Sequence, residues 1–190
     1  MRKIQIILIL SLIIVATGAL YWLNKDNSVQ TSEESKTVLS PTQVKSIEEI
    51  GQWEFLTVTD EEMVDTVRRG FFGDDELIRI YYGTLRLGID MKDVKEDWMQ
   101  ADGDTIVCTL PPVKLLDHNF IDEARTKSFH EEGKWTGKDR QAMYDRAYAR
   151  MKSRCLSKSN MASAEQNALK QFGDMLGAMG FSHVRIKFEQ

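Results

Sequence analysis

The sequence lacks the short motifs by which common enzyme families are recognised. It contains no nucleophile-elbow, Walker, Rossmann or kinase signature, and its paired glycines at positions 70, 73, 83 and 88 lack the spacing of a phosphate-binding turn. Basic residues do not predominate either, because 29 acidic side chains oppose 25 lysines and arginines. These absences argue against phosphate cradling and against a general nucleic-acid-binding surface, which needs clustered positive charge.

The composition is that of a folded protein. Of the 190 residues 42% are hydrophobic and 28% are charged, so the chain does not have the low hydrophobicity and high charge of disordered proteins. The length suits one domain of ordinary size, and no internal repeat or low-complexity tract competes with that interpretation.

An apolar run predicts a membrane anchor at the N-terminus. Residues 4–23 carry no charged side chain, and these 20 residues are long enough for a helix that crosses a bilayer. Tyr21 and Trp22 at the end of the run favour the headgroup region, and Arg2 and Lys3 before it are typical of a cytoplasmic flank. We therefore predict a single-pass protein of the cell membrane, with residues 1–23 as signal anchor and its C-terminal domain extracytoplasmic.

A cleaved signal peptide is the alternative interpretation of the same run. Thr17 and Ala19 form a weak cleavage site, and cleavage there would release a secreted domain. Retention is favoured because cleavage would leave an apolar start at residues 20–23. Residues 24–41 are polar and predict a flexible linker, which leaves residues 42–190 for the domain.

The start of the domain predicts a helix and a strand. Residues 46–53 place apolar side chains at helical spacing, and Ser46 followed by Glu49 matches a capping box. Residues 55–59 are rich in β-forming side chains and predict a strand.

A longer extended segment covers residues 77–89. Its apolar side chains alternate in two opposite phases that meet at Gly83, which predicts a bulge or tight turn at this glycine. The alternating residues are Ile78, Ile80 and Tyr82 before the glycine and Leu85, Leu87 and Ile89 after it.

The second half of the domain predicts a strand, two helices and a closing strand. Residues 104–110 alternate after a turn at Gly103, residues 138–157 and 161–179 are amphipathic helices, and residues 184–188 alternate again. The predicted fold class is therefore α+β: a mainly antiparallel sheet with two C-terminal amphipathic helices on one face. The apolar helix positions are Met143, Ala147, Met151 and Cys155 in the first helix and Ala164, Ala168, Phe172, Met175 and Met179 in the second.

One stretch collects most of the possible metal-ligating side chains. Imidazole and carboxylate groups together can hold a transition metal, but their spacing here matches no compact motif, so solvated loop residues are the favoured interpretation. We therefore assign no metal, cofactor or catalytic residue. The stretch contains Asp117, His118, Asp122, His130, Glu131 and Glu132.

The two cysteines are both predicted to point into the core. An extracytoplasmic domain permits a disulfide between Cys108 and Cys155, although two buried free thiols are the simpler interpretation. A nucleophilic Cys108 would need exposure and a nearby base, which its alternation pattern does not offer.

The first amphipathic helix has a basic outer face. This face could meet anionic lipid or an acidic partner, but Asp139 and Asp145 interrupt it, which favours an ordinary solvated surface. Its basic residues are Arg140, Arg146, Arg150, Lys152, Arg154 and Lys158.

Short glycine and proline motifs carry a family resemblance. They are Gly83-Thr84-Leu85 leading to Gly88-Ile89-Asp90, Asp104-Thr105-Ile106 leading to Leu110-Pro111-Pro112, and Gly180-Phe181 after alanine-rich helices. With the N-terminal apolar helix, this arrangement resembles the bacterial membrane-anchored family known as domain of unknown function 4230. The resemblance implies a single-pass architecture and no assigned catalytic residues. Physically, Gly88 is expected to adopt a conformation that other residues resist, and Asp90 to cap the chain that follows.

The sequence thus predicts a non-enzymatic domain that binds a protein or another envelope component. Two alternatives stay open: a hydrolase that uses carboxylates or histidines of residues 117–132, and a module that binds anionic lipid through the basic helix.

Overall fold

The computed structural model describes residues 15–19, 22, 40–71 and 73–189, in two units that comprise residues 1–36 and 37–190. In the first unit, residues 15–19 and 22 are helical. The rest of the predicted anchor and nearly all of the predicted linker lie outside the described residues. Within the part that is described, no helix is both long enough and apolar enough to cross a membrane.

The second unit begins with helix α1, Pro41–Glu48. Its N-cap is Ser40, whose hydroxyl accepts a hydrogen bond from the backbone N–H of Gln43, while the Gln43 side chain accepts one from the backbone N–H of Ser40. The predicted start at Ser46 was therefore wrong, because Ser40 and Gln43 complete the same capping box six residues earlier. Trp53, assigned to the helix by its spacing, lies in the first strand.

A long hairpin forms the first sheet. Strands β1, Gln52–Arg69, and β2, Asp74–Asp90, pair antiparallel along their whole length, with one irregularity between Glu54 and Leu56. Two short strands extend the sheet beyond β2: β5, Lys114–Leu115, and β6, Lys127–Glu131.

The predicted break at Gly83 was wrong, because β2 keeps one register across this glycine. Gly83 lies opposite Asp60, and the pairing continues unshifted on both sides. The buried apolar side chains of β2 are all odd-numbered, from Leu77 to Ile89. The half-buried Ile78 and Ile80 on the opposite face produced the apparent even-numbered phase. Gly83 itself lies in the core row, where an added Cβ would come within 2.7 Å of the Met151 methyl group.

A second sheet combines segments that are distant in sequence. Strands β3, Met99–Asp102, and β4, Thr105–Leu110, form a hairpin around Gly103, whose φ is 65°. The closing strand β7, His183–Phe188, then pairs with β4 in parallel. The predicted inward face of β4 is confirmed by the burial of Ile106, Cys108 and Leu110. Asp90 caps the 3₁₀ turn Met91–Asp93 by accepting from the Lys92 N–H, as expected.

Two helices cover the sheets and confirm the α+β prediction. Helix α2, Gly137–Cys155, packs on β1 and β2, and helix α3, Lys158–Ala178, packs on β1, β2 and β7. The four predicted apolar positions of α2 are completely buried. In α3 the last core position is Leu176, while the predicted Met175 is only half-buried. Residues of both sheets and all three helices form one core cluster.

Candidate binding groove

A groove of about 680 Å³ lies along the hairpin where the segment between β5 and β6 runs beside β2. Thr59 and Glu61 of β1 are exposed, and they lie opposite Thr84 and Tyr82 of β2. Because strand side chains alternate between faces, these four groups share the sheet face that points away from the helices. They form the floor of the groove.

The wall of the groove is fixed to the sheet by backbone hydrogen bonds. The Thr84 N–H donates to the Phe120 carbonyl at 3.0 Å, and the Asp122 N–H donates to the Tyr82 carbonyl at 2.8 Å. The Phe120 ring stacks on Tyr148 of α2 with its centroid 4.6 Å away. These contacts hold residues 117–125 beside the strand.

The wall also stabilises its own turns. The Asp117 carboxylate accepts a hydrogen bond from the Asn119 N–H at 2.8 Å, and the Asp122 carboxylate accepts one from the Arg125 N–H at 3.2 Å. Such bonds from an aspartate to the backbone two or three residues on are typical of tight turns. The wall is therefore defined locally as well as by its pairing with β2.

The groove has more negative than positive charge. Four carboxylates line it, against two guanidinium groups. Arg86 already lies between Glu54 and Asp117, with N···O distances of 3.8 and 3.7 Å, and Arg125 lies 4.8 Å over the Tyr82 ring. The lining carboxylates are Asp60, Glu61, Asp117 and Asp122.

Within the described part of the chain, Glu61 and Asp122 have no cationic partner. Asp60, in contrast, accepts a hydrogen bond from Arg154 Nε at 3.0 Å and forms an ion pair with Arg154 Nη2 at 2.8 Å. The uncompensated charge in the groove is therefore negative. Since opposite charges attract across a few ångströms, this lining favours a ligand with a positive group.

The six candidate ligands of residues 117–132 do not converge. Asp117 and Asp122 line the groove, and His118 is exposed without lining it. His130 lies in β6, outside the groove lining, with its Nε2 atom 4.0 Å from a carboxylate oxygen of Glu76 and 3.9 Å from one of Glu132. Glu131 instead pairs with Arg140 at 2.6 Å, and this hydrogen bond lowers its pKa. The described residues contain no group of three or more His, Cys, Asp or Glu side chains arranged to hold a metal ion.

Half of the predicted basic residues of α2 attach the helix to the sheet. Arg150 contacts Glu62 at 2.8 Å, and Arg154 bridges Glu62 and Asp60 at 2.6 and 2.8 Å. Burial alone would raise the pKa of Glu62, but the hydrogen bonds and charges of the two arginines outweigh it and hold this pKa below its usual value. Together with Arg140, half of the six predicted basic residues have partners on the sheet.

Comparison with protein families shows which family this chain belongs to. A family model described as "Protein of unknown function (DUF4230)" matches residues 45–186. The chain belongs to this family. The match confirms the resemblance inferred from the glycine and proline motifs, and it includes every residue of the groove. No curated protein and no solved structure matches the chain.

The motif glycine Gly88 of the DUF4230 domain has a different role from the one expected. Its φ is not positive, so its backbone conformation is open to other residues. An added Cβ would instead lie 1.9 Å from the carbonyl oxygen of Trp53 on β1. Gly88 is therefore required by the close approach of two strands beside the bulge at residues 54–56.

Both cysteines of the DUF4230 domain are free and fully buried, as the simpler interpretation held. Burial raises the pKa of Cys108 to about 12 and also raises that of Cys155. The reactive thiolate therefore hardly forms at neutral pH, which removes the basis for a nucleophilic Cys108.

Tyr82, Arg86 and Arg125 line the groove of the DUF4230 domain, although the sequence did not predict them as site residues. The groove exists because Ile121 pairs with Gly83, 38 residues earlier in the chain. No local pattern reveals such a contact. The only available signal was the exposed face of β2, where Tyr82, Thr84 and Arg86 follow one another at every second position.

Proposed function

We propose that this chain is a single-pass membrane protein whose extracytoplasmic DUF4230 domain binds a protein of the cell envelope and catalyses no reaction. The uncharged run of residues 4–23 supports the anchor, and the positive residues before it support the orientation. The family match over residues 45–186 supports a single domain outside the predicted anchor.

The acidic groove is the observation that carries the binding role. Glu61 and Asp122 present carboxylates without a cationic partner in the described residues, next to the aromatic ring of Tyr82. A lysine or arginine side chain of a partner would gain a charge-assisted hydrogen bond there, and its aliphatic part would contact the ring. We therefore expect a partner that presents a basic segment.

The hydrolase alternative has less support. It requires a carboxylate or histidine pair that faces one reacting atom, and only Asp117 and Asp122 of the six candidates reach the groove. Asp117 is engaged with Arg86, and Asp122 caps its own turn. The lipid alternative is weakened in the same way, because Arg140, Arg150 and Arg154 are paired with carboxylates of the sheet.

Site-directed photo-crosslinking in cells tests the binding role. A benzophenone side chain at Asn119 in the groove of the full chain should capture a distinct partner. The matched position is Gln166, which is exposed on α3 and absent from the groove lining. Asp122→Asn should reduce the capture at Asn119 several-fold. Equal capture at both positions, or no capture in the groove, would contradict the proposal.

Membrane extraction tests the anchor separately. The full chain should remain in the membrane fraction after alkaline carbonate washing, whereas Ile9→Lys combined with Ile13→Lys should release it, because charged residues near the bilayer centre oppose insertion. An introduced Ser182→Cys, at an exposed site, should react with a membrane-impermeant maleimide on intact cells. Release of the unmodified chain, or labelling only after lysis, would refute the predicted topology.

A further inference from the structure

Strand β1 has a free edge. Within the residues described, β1 pairs only with β2, and its other edge has no strand partner. Asn167 of α3 donates to the Phe55 carbonyl at 2.9 Å and so covers the start of this edge. An unpaired strand edge is a template for another strand, and proteins usually protect it or use it.

The hydrogen bonds of β2 show which backbone groups of β1 lie at that edge. Tyr82, Thr84 and Arg86 bond with the segments on the far side of β2, away from β1. In an antiparallel pair, hydrogen-bonded and non-hydrogen-bonded positions alternate. The β1 partners of these three residues, which are Thr57, Thr59 and Glu61, therefore direct their N–H and C=O groups to the free edge. The same holds for every second residue of β1 from there to Arg69. Consistently, the Glu61 N–H bonds to the side chain of Asp60 at 2.9 Å, not to β2.

The side chains along the edge form a charge pattern that is complementary to itself. Residues 61–69 read Glu-Glu-Met-Val-Asp-Thr-Val-Arg-Arg, with acidic residues at one end and basic residues at the other. When a second copy is rotated by a two-fold axis through Asp65, Glu61 lies opposite Arg69 and Met63 opposite Val67. Glu62 and Arg68 also lie opposite each other, but both already have ion-pair partners within their own copy and add no free charge to this pattern. Met63 and Val67 are 59% and 49% exposed and lie on the same face of β1, so a partner strand in this register would cover both.

We propose that two copies of this chain associate by antiparallel pairing of their β1 strands, with the two-fold axis at Asp65. In this register the edge-directed backbone groups from Glu61 to Arg69 lie opposite counterparts, and the Glu61 N–H would exchange its bond to the Asp60 side chain for one to the Arg69 carbonyl of the second copy. Glu61 gains a cation that it lacks among the described residues of its own copy, and Asp122 remains as the unpaired carboxylate of the groove. The register centred on Met63 would instead bring Glu61 against Asp65 of the second copy, so the charges select one alignment. The association goes beyond the proposed partner binding, and it would remain if the groove bound nothing.

A disulfide test follows from the symmetry. Hydrogen-bonded residues opposite each other have Cα atoms about 5.5 Å apart, within the range that a disulfide spans. In the full chain, in mild detergent, Asp65→Cys should therefore form a covalent dimer under mild oxidation. Thr59→Cys is the control, since the residues at position 59 of the two copies would be about 40 Å apart. The native thiols are fully buried and should not interfere. Equal dimer yields for the two variants would overturn the proposal.

Charge reversal tests the register. By symmetry each reversal turns two attractive pairs into repulsive ones, so Glu61→Arg or Arg69→Glu should weaken self-association about tenfold in sedimentation experiments. The double variant should recover most of the loss, and Asp65→Asn should strengthen association several-fold by removing the like-charge pair at the axis. Thermal unfolding of each variant checks that the domain stays folded. No recovery in the double variant, or weaker association of Asp65→Asn, would refute the register.

Discussion

At the scale of single residues, Glu62 is the most completely buried charged side chain in the described part of the chain, with 7% of its surface exposed. Two arginines of α2 compensate its charge, so the carboxylate joins the helix to the inner face of β1. Buried ion pairs contribute less than their attraction suggests, but the loss of one partner leaves the others without compensation.

We predict that Glu62→Gln lowers the free energy of unfolding by about 1–2 kcal/mol at pH 7, since charge-assisted hydrogen bonds are lost but the half-exposed guanidinium groups remain solvated. The pKa of Glu62 is below its usual value of 4.5, so its contribution is complete above that pH and is lost as the pH falls through the lowered value. The difference between the two proteins should therefore shrink below about pH 4.5 in urea titrations.

Glu61→Gln is the matched control for this variant. Glu61 neighbours Glu62 on the same strand but is exposed, and it has no cationic partner among the described residues. Its substitution should change stability by less than about 0.5 kcal/mol. A similar cost for both substitutions would show that the arginine contacts do not stabilise the domain.

Gly88 supports a second prediction at this scale. Gly88→Ala would place a Cβ 1.9 Å from the Trp53 carbonyl oxygen, and backbone cannot rotate away as a side chain can. We expect a loss of about 1–3 kcal/mol or more in unfolding free energy. Gly177→Ala on α3 is the control, because an added Cβ there meets nothing within 4 Å, and it should stabilise the helix by about 0.4–1 kcal/mol. The opposite signs are measurable by thermal denaturation.

At the scale of elements, the periodicity of apolar side chains predicted the buried faces better than capping and turn residues predicted where helices and strands begin or break. The apolar side chains at four-residue steps in α2 correctly predicted its buried face, because residues at this spacing all lie on one side of a helix of 19 residues. The phase of β2 was misread because this strand has a half-buried outer face, so Ile78 and Ile80 repeat the pattern of a core row. Strands β3, β5 and β6 are only two to five residues long, too short for a clear alternation. In addition, β5 and β6 are defined by pairing with β2, which is distant in sequence.

The start of α1 offers a direct test between two caps. Ser40 satisfies the backbone N–H of Gln43, so Ser40→Ala should cost about 0.5–2 kcal/mol of unfolding free energy. Ser46 is an exposed interior residue of the helix, and Ser46→Ala should be neutral or slightly stabilising because alanine is the better helix former. Urea denaturation of the two variants measures both effects. A greater cost at Ser46 would favour the helix start that the sequence predicted.

At the scale of the whole molecule, the connection between the two sheets could not be predicted from the sequence. The alternation of β7 predicted a strand, but not that it would pair in parallel with β4, about 80 residues earlier. The groove has the same origin, since it depends on the pairing of Ile121 with Gly83. Both are long-range contacts, which local patterns do not record. Helix α3 packs against both sheets and makes the core continuous.

This continuity predicts that the two sheets unfold together. Cys108 lies at the centre of the second sheet, and Cys155 ends the helix that covers the first, and both are fully buried. In the Cys155→Ala variant the remaining thiol is Cys108, which reports on the opening of the second sheet. In the Cys108→Ala variant the remaining thiol is Cys155, which reports on the opening of the first sheet. Thiol labelling should then show the same dependence on urea in both variants, because each thiol becomes reactive only by global unfolding.

An exposed thiol calibrates the labelling. Ser182→Cys in a background without native cysteines should react immediately at any urea concentration, because residue 182 is exposed. If Cys108 reacted with a much weaker urea dependence than Cys155, the second sheet would open independently of the hairpin. Helix α3 would then be a weak bridge between two separately stable parts, and the single core cluster would not correspond to a single cooperative unit.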